Sequence, residues 1–124
     1  MSQTTTLILL PQTTFNANTA NCATSYTVVG AEQPGASYYL GSGCLQTVTY
    51  SLDNLTGNLV IDATLATSPV EKDWFKVYEL SANANTGVNA NATSYVNIDG
   101  NFTYMRAKIV DFSTGIASYV KLSY

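Results

Sequence analysis

Few side chains of this 124-residue chain could carry out chemistry, and the closest acidic pair is Glu71 and Asp73. These carboxylates flank Lys72 directly before Trp74, so at the start of a strand they would share a face and repel each other. Two carboxylates across a cleft could hydrolyse a glycosidic bond, but the spacing identifies no such pair. Solvated loop charges are the simpler interpretation. Because the chain has no histidine, the commonest general base and the Ser-His-Asp and Cys-His arrangements are excluded, and we expect no enzymatic activity.

The sequence also predicts no metal and no cofactor. Cys22 and Cys44 are the only cysteines, and two thiols without histidine or CxxC spacing cannot complete a zinc shell. A reduced, half-buried pair is favoured for a protein folded in a cytoplasm, although neighbouring strands could bring the two together as a disulfide. A calcium site at Asp99 would lack the alternating acidic series of such loops.

Charge is sparse, at 10% of residues and a net charge of −3, against about a quarter in average proteins. The five basic residues are spread along the chain, which argues against nucleic acid as a partner. The apolar run Leu7–Leu10 is too short for a signal peptide or a bilayer span, so we expect no membrane and folding in a cytoplasm. A surface of hydroxyl and amide groups suits a packed assembly, where each buried charge would need a partner, and equally a sugar-facing protein.

Aromatic residues are the remaining candidates for a binding surface, with nine tyrosines, four phenylalanines and one tryptophan. They could be interface anchors or a sugar-stacking platform, or ordinary core and cross-strand pairs. For Trp74 the core is favoured over an interface or a ligand site. Tyr38 and Tyr39 would point to opposite faces of a strand, so one of them should be exposed. The candidate interface residues are Tyr38, Tyr39, Trp74, Phe75, Arg106 and Tyr124.

Arg106 lies in an otherwise apolar run and needs a partner. We expect it to bond a carboxylate such as Asp99 or Asp111, or to reach a neighbouring chain.

The elements that must position these residues are strands. Alternation is clearest at 59–65, and strands are also predicted at 74–80 and 93–98. Turn signals recur every eight to twelve residues, and no convincing amphipathic helix appears. The pattern predicts one all-β domain over residues 1–124, an antiparallel β-sandwich or jelly roll of about eight short strands.

Three of the predicted turns determine how the later strands connect. One lies at 53–58, one at Asp99–Gly100 joins strand 93–98 to a partner at 101–110, and one at 113–115 joins that partner to a closing strand at 116–124. The last two turns would make successive β-hairpins.

Three segments, DWFKVYE at 73–79, GNFTYMRAKI at 100–109 and the closing VKLSY at 120–124, resemble small accessory virion proteins of tailed bacteriophages, mainly myoviruses. In that family a Gly-Asn-Phe-x-x-[Ile/Met/Val]-Arg-Ala-x-[Ile/Val] strand precedes a final hairpin. Residues 1–65 carry no such resemblance. The resemblance implies a non-enzymatic β-sandwich subunit that decorates a capsid, neck or tail in many copies, and it supplies no catalytic residues.

The resulting first hypothesis is a structural subunit of a phage virion, in contact with other virion proteins and with copies of itself. The alternative is a carbohydrate-binding or host-adhesion module that recognises a host glycan. A small hydrolase ranks third, because histidine is missing and the carboxylates are unpaired.

Overall fold

The computed structural model describes residues 6–15, 25–35, 45–100 and 102–124. Cys22, Cys44, Tyr38 and Tyr39 lie outside the described residues. The all-β prediction is confirmed. The elements are β1 (Thr6–Leu10), β2 (Thr13–Thr14), β3 (Tyr26–Val29), β4 (Gln33–Pro34), β5 (Leu45–Thr64), a 3₁₀ turn (Glu71–Asp73), β6 (Phe75–Ala82), β7 (Thr93–Asp99) and β8 (Tyr104–Ser123).

Two long strands, β5 and β8, form the centre of one antiparallel sheet. Each has 20 residues, and they pair along their length from Thr47 opposite Ser123 to Thr64 opposite Tyr104. The short strands β1 to β4 follow one another along the outer edge of β8, whereas β6 and β7 occupy the outer edge of β5. The described residues form eight strands, the number expected, but the two central ones are not short.

The sheet is folded over on itself. A straight 20-residue strand would span about 65 Å, yet the Tyr124 hydroxyl, just beyond the end of β8, donates a 2.9 Å hydrogen bond to the Pro34 carbonyl. Pro34 pairs with Tyr104 at the start of β8. The two ends of β8 therefore lie side by side, and the halves of the sheet form the two layers of a sandwich without closing into a barrel.

The fold line passes through bulges in both central strands. The pairing of β5 with β8 shifts register between Ser51 and Asn58, and Asn54 and Asp111 have φ values of 54° and 57°. Gly115 has a φ of 93° and lies so close to the Asn54 carbonyl that a Cβ would collide with it. These irregular residues bend both strands at one place and increase their twist.

The predicted turns at 53–58 and 113–115 are wrong, because both segments lie inside continuous strands. β8 remains paired with β5 on either side of Gly115, so the chain bends there without reversing. The predicted hairpin of 101–110 with 116–124 is therefore wrong as well. Asn, Asp and Gly supply positive φ in a bulge as they do in a turn, and local sequence does not distinguish the two.

The predicted pairing across Asp99–Gly100 is also wrong. β7 pairs with β5, from Leu45 opposite Asp99 to Ser51 opposite Thr93. β6 ends at Ala82 opposite Gly57, which leaves the remaining edge of β5 open for β7.

The hydrophobic core lies between the two layers. Phe112 is fully buried at the fold line, where its ring packs edge-on at 5.6 Å against both Phe15 and Tyr26. Further fully buried side chains come from both halves of the central strands: Val48, Leu55, Leu59, Ile61, Met105, Ile109, Val120 and Leu122.

Candidate functional site

The outer face of one half of the sheet carries a row of charged side chains. Residues directly opposite each other on antiparallel strands share a face, and the register places Lys76, Asp62 and Arg106 side by side across β6, β5 and β8. The next row contains Glu79, Val60 and Lys108. We call this part of the sandwich, residues 58–64 of β5 and 104–110 of β8 with β6, β3 and β4, the charged half.

Arg106 is the centre of an ion-pair network. Its Nε donates to the Asp62 carboxylate at 3.3 Å, and its two terminal nitrogens bind both oxygens of Glu71 at 3.2 and 2.8 Å. Lys108 Nζ lies 3.3 Å from the same oxygen of Asp62. Asp62 is 3% and Arg106 7% exposed, so two basic side chains neutralise a carboxylate that is almost out of reach of water.

The connection between β5 and β6 supplies the cover over this pair. Its 3₁₀ turn is closed by a hydrogen bond from the Val70 amide to the Asp73 carboxylate at 2.9 Å, and the Thr103 hydroxyl fixes its start by donating to the Ala66 carbonyl at 2.7 Å. This turn directs the Glu71 carboxylate onto the edge of the Arg106 guanidinium group. It also places the Trp74 ring 4.4 Å from the Arg106 guanidinium carbon, a cation–π contact.

The contact between Glu71 and Arg106 favours the charged form of both side chains. The hydrogen bond to Arg106 and the positive charge of Arg106 hold the pKa of Glu71 below its ordinary value. The hydrogen bond to Glu71 raises the pKa of Arg106 despite burial. A carboxylate with a lowered pKa is a weak proton donor at neutral pH, so this arrangement favours binding and fixation over acid–base chemistry.

A groove of about 310 Å³ opens beside this network. Three of the five basic and three of the eight acidic residues of the chain line it, and Lys76 and Glu79 form a further ion pair at 2.8 Å on its rim. The charges of the groove therefore balance. Its lining residues are Val60, Asp62, Glu71, Trp74, Lys76, Glu79, Arg106, Lys108 and Val110.

The outer face of the other half has different chemistry. Here Thr47, Thr49 and Ser51 of β5 lie opposite Asn97, Tyr95 and Thr93 of β7. Ser51 and Thr93 share a 2.9 Å hydrogen bond between their hydroxyls. We call this part, residues 45–52 of β5 and 116–123 of β8 with β7, β1 and β2, the neutral half.

Two charged residues of opposite sign, Lys121 and Asp99, lie on this face, and no ion pair joins them. Lys121 faces Thr49 across the central strands, and its Nζ lies 4.5 Å from the centre of the Tyr119 ring. Asp99 closes β7 at the end of the face. The surface between them consists of hydroxyl, amide and aromatic groups.

The structure places the predicted site residues in different surroundings. Trp74 is half-buried in the wall of the groove, so its assignment to the core is wrong. Phe75 is 42% exposed and contacts Phe102 edge-on at 5.8 Å. Tyr124 is 7% exposed and ties Pro34 to the end of β8, which leaves little of its side chain to meet another protein.

Arg106 does bond carboxylates, but the predicted partners Asp99 and Asp111 are wrong. Asp99 ends a strand of the neutral half, and Asp111 is exposed at the fold line, whereas the register sets Arg106 opposite Asp62.

The predicted repulsion between Glu71 and Asp73 is wrong too. The 3₁₀ turn directs Glu71 to Arg106 and Asp73 to the Val70 amide.

Sequence reasoning missed Asp62 and Lys108. The signal that could have found Asp62 is a single acid inside the most regular apolar strand of the chain, matched by the single arginine in another apolar run. Pairing of the two strands could not be read from the sequence.

Within the described ranges, no cluster of three or more Cys, Asp or Glu side chains could hold a metal ion. The same residues include no helix of the length and apolarity needed to cross a membrane. Comparison with known proteins gives no match: no family model, no curated protein and no solved structure matches this chain.

Proposed function

We propose that this chain is a non-enzymatic structural subunit of a tailed-phage virion, which decorates or stabilises the capsid, neck or tail through contacts with other virion proteins and with its own copies. The observation that carries the proposal is the uneven distribution of charge. Six charged side chains balance one another around one groove, whereas the outer face of the neutral half carries mainly hydroxyl, amide and aromatic groups, with Lys121 and Asp99 as its charged residues.

A surface of this kind suits burial against protein. Burying an unpaired charge is costly, and the centres of protein interfaces are depleted in charged residues and enriched in tyrosine. Tyr95, midway along the edge strand β7 of the neutral face, is 62% exposed. A partner could cover the part of this face formed by residues 93–97 of β7 and 47–51 of β5 without removing a lone charge from water, since Lys121 lies beyond it on β8.

The charged groove adds support of a second kind. Its carboxylates are engaged with basic side chains, and Glu71 has a lowered pKa. A hydrolase that uses two carboxylates needs one with a raised pKa as the proton donor. The resemblance of segments 73–79, 100–109 and 120–124 to accessory virion proteins points to the same class of function.

Particle composition tests the proposal. Phage particles from a culture that produces this chain are purified on a density gradient and analysed by mass spectrometry, with an antibody against the chain to locate it by electron microscopy. We expect the chain to co-purify with intact particles in many copies at regular positions. A chain that stays in the soluble fraction while complete particles form without it would contradict the proposal.

A carbohydrate-binding or host-adhesion module is the second candidate, and the groove favours it. Trp74 forms one wall, and the exposed carboxylates of Glu71 and Glu79 and the Lys76 ammonium stand around it. An aromatic ring beside several hydrogen-bonding groups is a common way to hold a sugar.

Fluorescence tests this candidate directly, because Trp74 is the only tryptophan of the chain. Titration with a panel of host surface glycans should change Trp74 emission in a saturable way if a sugar enters the groove. Glu79→Gln should weaken such a response, and Thr49→Ala, on the opposite half, should not. An emission spectrum that no glycan alters would remove this candidate.

A further inference from the structure

We infer that the outer edge of β7 is a self-association site, at which β7 of a second copy of this chain adds antiparallel and extends the sheet across a twofold axis at Tyr95. This contact deepens the proposed function and rests on it for its biological role, since it names one way in which copies would meet. The inference comes from the direction of the backbone groups, the lack of edge protection and the symmetry of the strand.

Hydrogen bonds fix which backbone groups of β7 face outwards. The Leu52 amide donates to the Ala92 carbonyl at 2.8 Å, so this pair is hydrogen-bonded. Hydrogen-bonded and non-hydrogen-bonded pairs alternate along an antiparallel ladder, and the pairing of β7 with β5 is regular. The backbone groups of Thr93, Tyr95 and Asn97 therefore point away from β5.

A side chain on the neighbouring strand supports this alternation. The side-chain amide of Gln46 donates hydrogen bonds to the backbone carbonyls of Ile98 and Gly100 at 3.2 and 2.9 Å. These carbonyls face β5, as the alternation requires. Within the described part of the chain, β7 pairs with β5 alone.

The two strands on the outer edge of β5, β6 and β7, differ in how well they are protected against pairing with another chain. β6 has a bulge in its pairing with β5 and carries the exposed ion pair Lys76–Glu79. Bulges and charges are the usual devices that stop an edge from pairing with another chain. Residues 93–98 of β7 contain neither a charge nor a proline, and their register is unbroken. Among the residues that the structure describes, β7 is thus a regular edge without these forms of protection.

The sequence of β7 fits a second copy of itself. A twofold axis at Tyr95 sets Tyr95 against its own equivalent, Thr93 against Asn97, and Asp99 against Asn91. No like charges face each other in this register, and the outward backbone groups would form about six hydrogen bonds. The exposed Tyr95 rings would lie next to each other on the outer face, where aromatic cross-strand pairs are favourable.

A seven-residue strand offers a small interface, below the roughly 1,200 Å² of a stable complex. We therefore expect a weak, concentration-dependent dimer in solution. In an assembly the high local concentration of neighbouring copies would strengthen the same contact.

Sedimentation equilibrium over a wide range of concentrations tests the inference. Wild-type protein should dimerise reversibly, and Tyr95→Lys should weaken dimerisation at least tenfold, because the axis brings the two introduced ammonium groups together. Leu65→Lys, at a side chain of equal exposure (63%) after β5, is the matched control and should leave the dimer intact.

Charge exchange sharpens the test. Tyr95→Lys and Tyr95→Glu should each be monomeric, whereas an equimolar mixture should form heterodimers, since opposite charges then meet at the axis. Wild-type protein that stays monomeric at the highest concentration, or a dimer that Tyr95→Lys does not weaken, would overturn the inference.

The two proposals fail separately. A monomeric protein that nevertheless co-purifies with particles would remove the β7 contact and leave the proposed function standing. A β7 dimer in solution, with no chain in the particles, would do the opposite.

Discussion

The charged half and the neutral half of the sandwich share two central strands, yet their outer faces differ in how polar groups are held. In the charged half, Asp62 and Arg106 are almost fully buried under Glu71 and Trp74. In the neutral half, hydroxyl and amide groups pair across the strands at the surface, as in Thr47 with Asn97 at 2.8 Å. The same backbone scaffold therefore carries a closed ion-pair network on one half and an open surface on the other.

This difference shows what each half depends on. A buried ion pair is sensitive to the loss of either member, because the remaining charge is left without a partner in a poor solvent. Exposed hydroxyl and aromatic groups lose little when they are changed one at a time. We expect stability to be concentrated in the charged half and at the fold line, and association to be concentrated in the neutral half.

The largest effect is expected for Arg106→Met. It leaves the Asp62 carboxylate buried with Lys108 as its remaining basic partner, and we expect a loss of about 3–5 kcal/mol in the free energy of unfolding, measured by urea denaturation. Lys121→Met, in the neutral half, should cost less than about 1 kcal/mol. The double variant Asp62→Leu with Arg106→Met should recover much of the loss, since neither buried charge remains and the partners left behind, Glu71 and Lys108, reach water. Equal costs for the two single changes would erase the distinction between the halves.

The next effect concerns the fold line that joins the halves. Gly115→Ala should cost about 2–4 kcal/mol, because φ is positive and the added Cβ collides with the Asn54 carbonyl. Gly87 also has a positive φ, of 79°, but nothing lies within 4 Å of an added Cβ. Gly87→Ala is thus the control for backbone strain alone, at about 1–2 kcal/mol. If both variants melt at the same temperature, the collision of the added Cβ with the Asn54 carbonyl contributes nothing to the loss of stability.

A smaller effect on stability is expected at Tyr78, which connects the two layers through its hydrogen bond with Tyr50. Their hydrogen bond is the largest cause that raises the pKa of Tyr78 from 10.0 to about 12. Since the folded pKa is the higher one, this stabilisation is complete below pH 10 and is lost as the pH rises towards 12. Tyr78→Phe should cost about 1 kcal/mol at neutral pH and remove a step near pH 12 from a tyrosinate absorbance titration. Tyr95→Phe, on the exposed face, should leave the free energy of unfolding unchanged.

The smallest effect is expected at the exposed side of the network. The pKa of Glu71 is lowered from 4.5 by Arg106, so its stabilising contribution is present above pH 4.5 and is lost as the pH falls through the lowered value. Glu71→Gln should lower the melting temperature slightly at neutral pH, and the difference from wild type should vanish in strong acid. A difference that persists at low pH would show that Glu71 acts through packing and not through its charge.

Individual strands could be predicted from the sequence where alternation was regular. Residues 59–65 were predicted as a strand, and 59–64 lie inside β5. The predicted strands at 74–80 and 93–98 correspond to β6 and β7 within one or two residues. The pairing of the C-terminal residues could not be predicted in this way. A bulge at Gly115 and a hairpin turn use the same residue types, so the sequence does not show whether the strand bends or reverses there.

The candidate site was only partly accessible to sequence reasoning. Arg106 requires a carboxylate, and nearness in sequence favours Asp99 and Asp111 over the true partners. Asp62 is 44 residues away and Glu71 is 35 residues away. Both meet Arg106 only through the pairing of β5 with β8 and the fold of the connection that follows β5.

The sequence by itself determined that the chain folds into strands and that charge is scarce, because both follow from the kinds of residues present and from their alternation. The tertiary structure alone decided that the two longest strands bend at one line and that six scattered charges meet in one groove. It also decided that, within the described ranges, the outer edge of β7 has no pairing strand. These features depend on strand register, and a shift of one residue would turn every side chain to the other face.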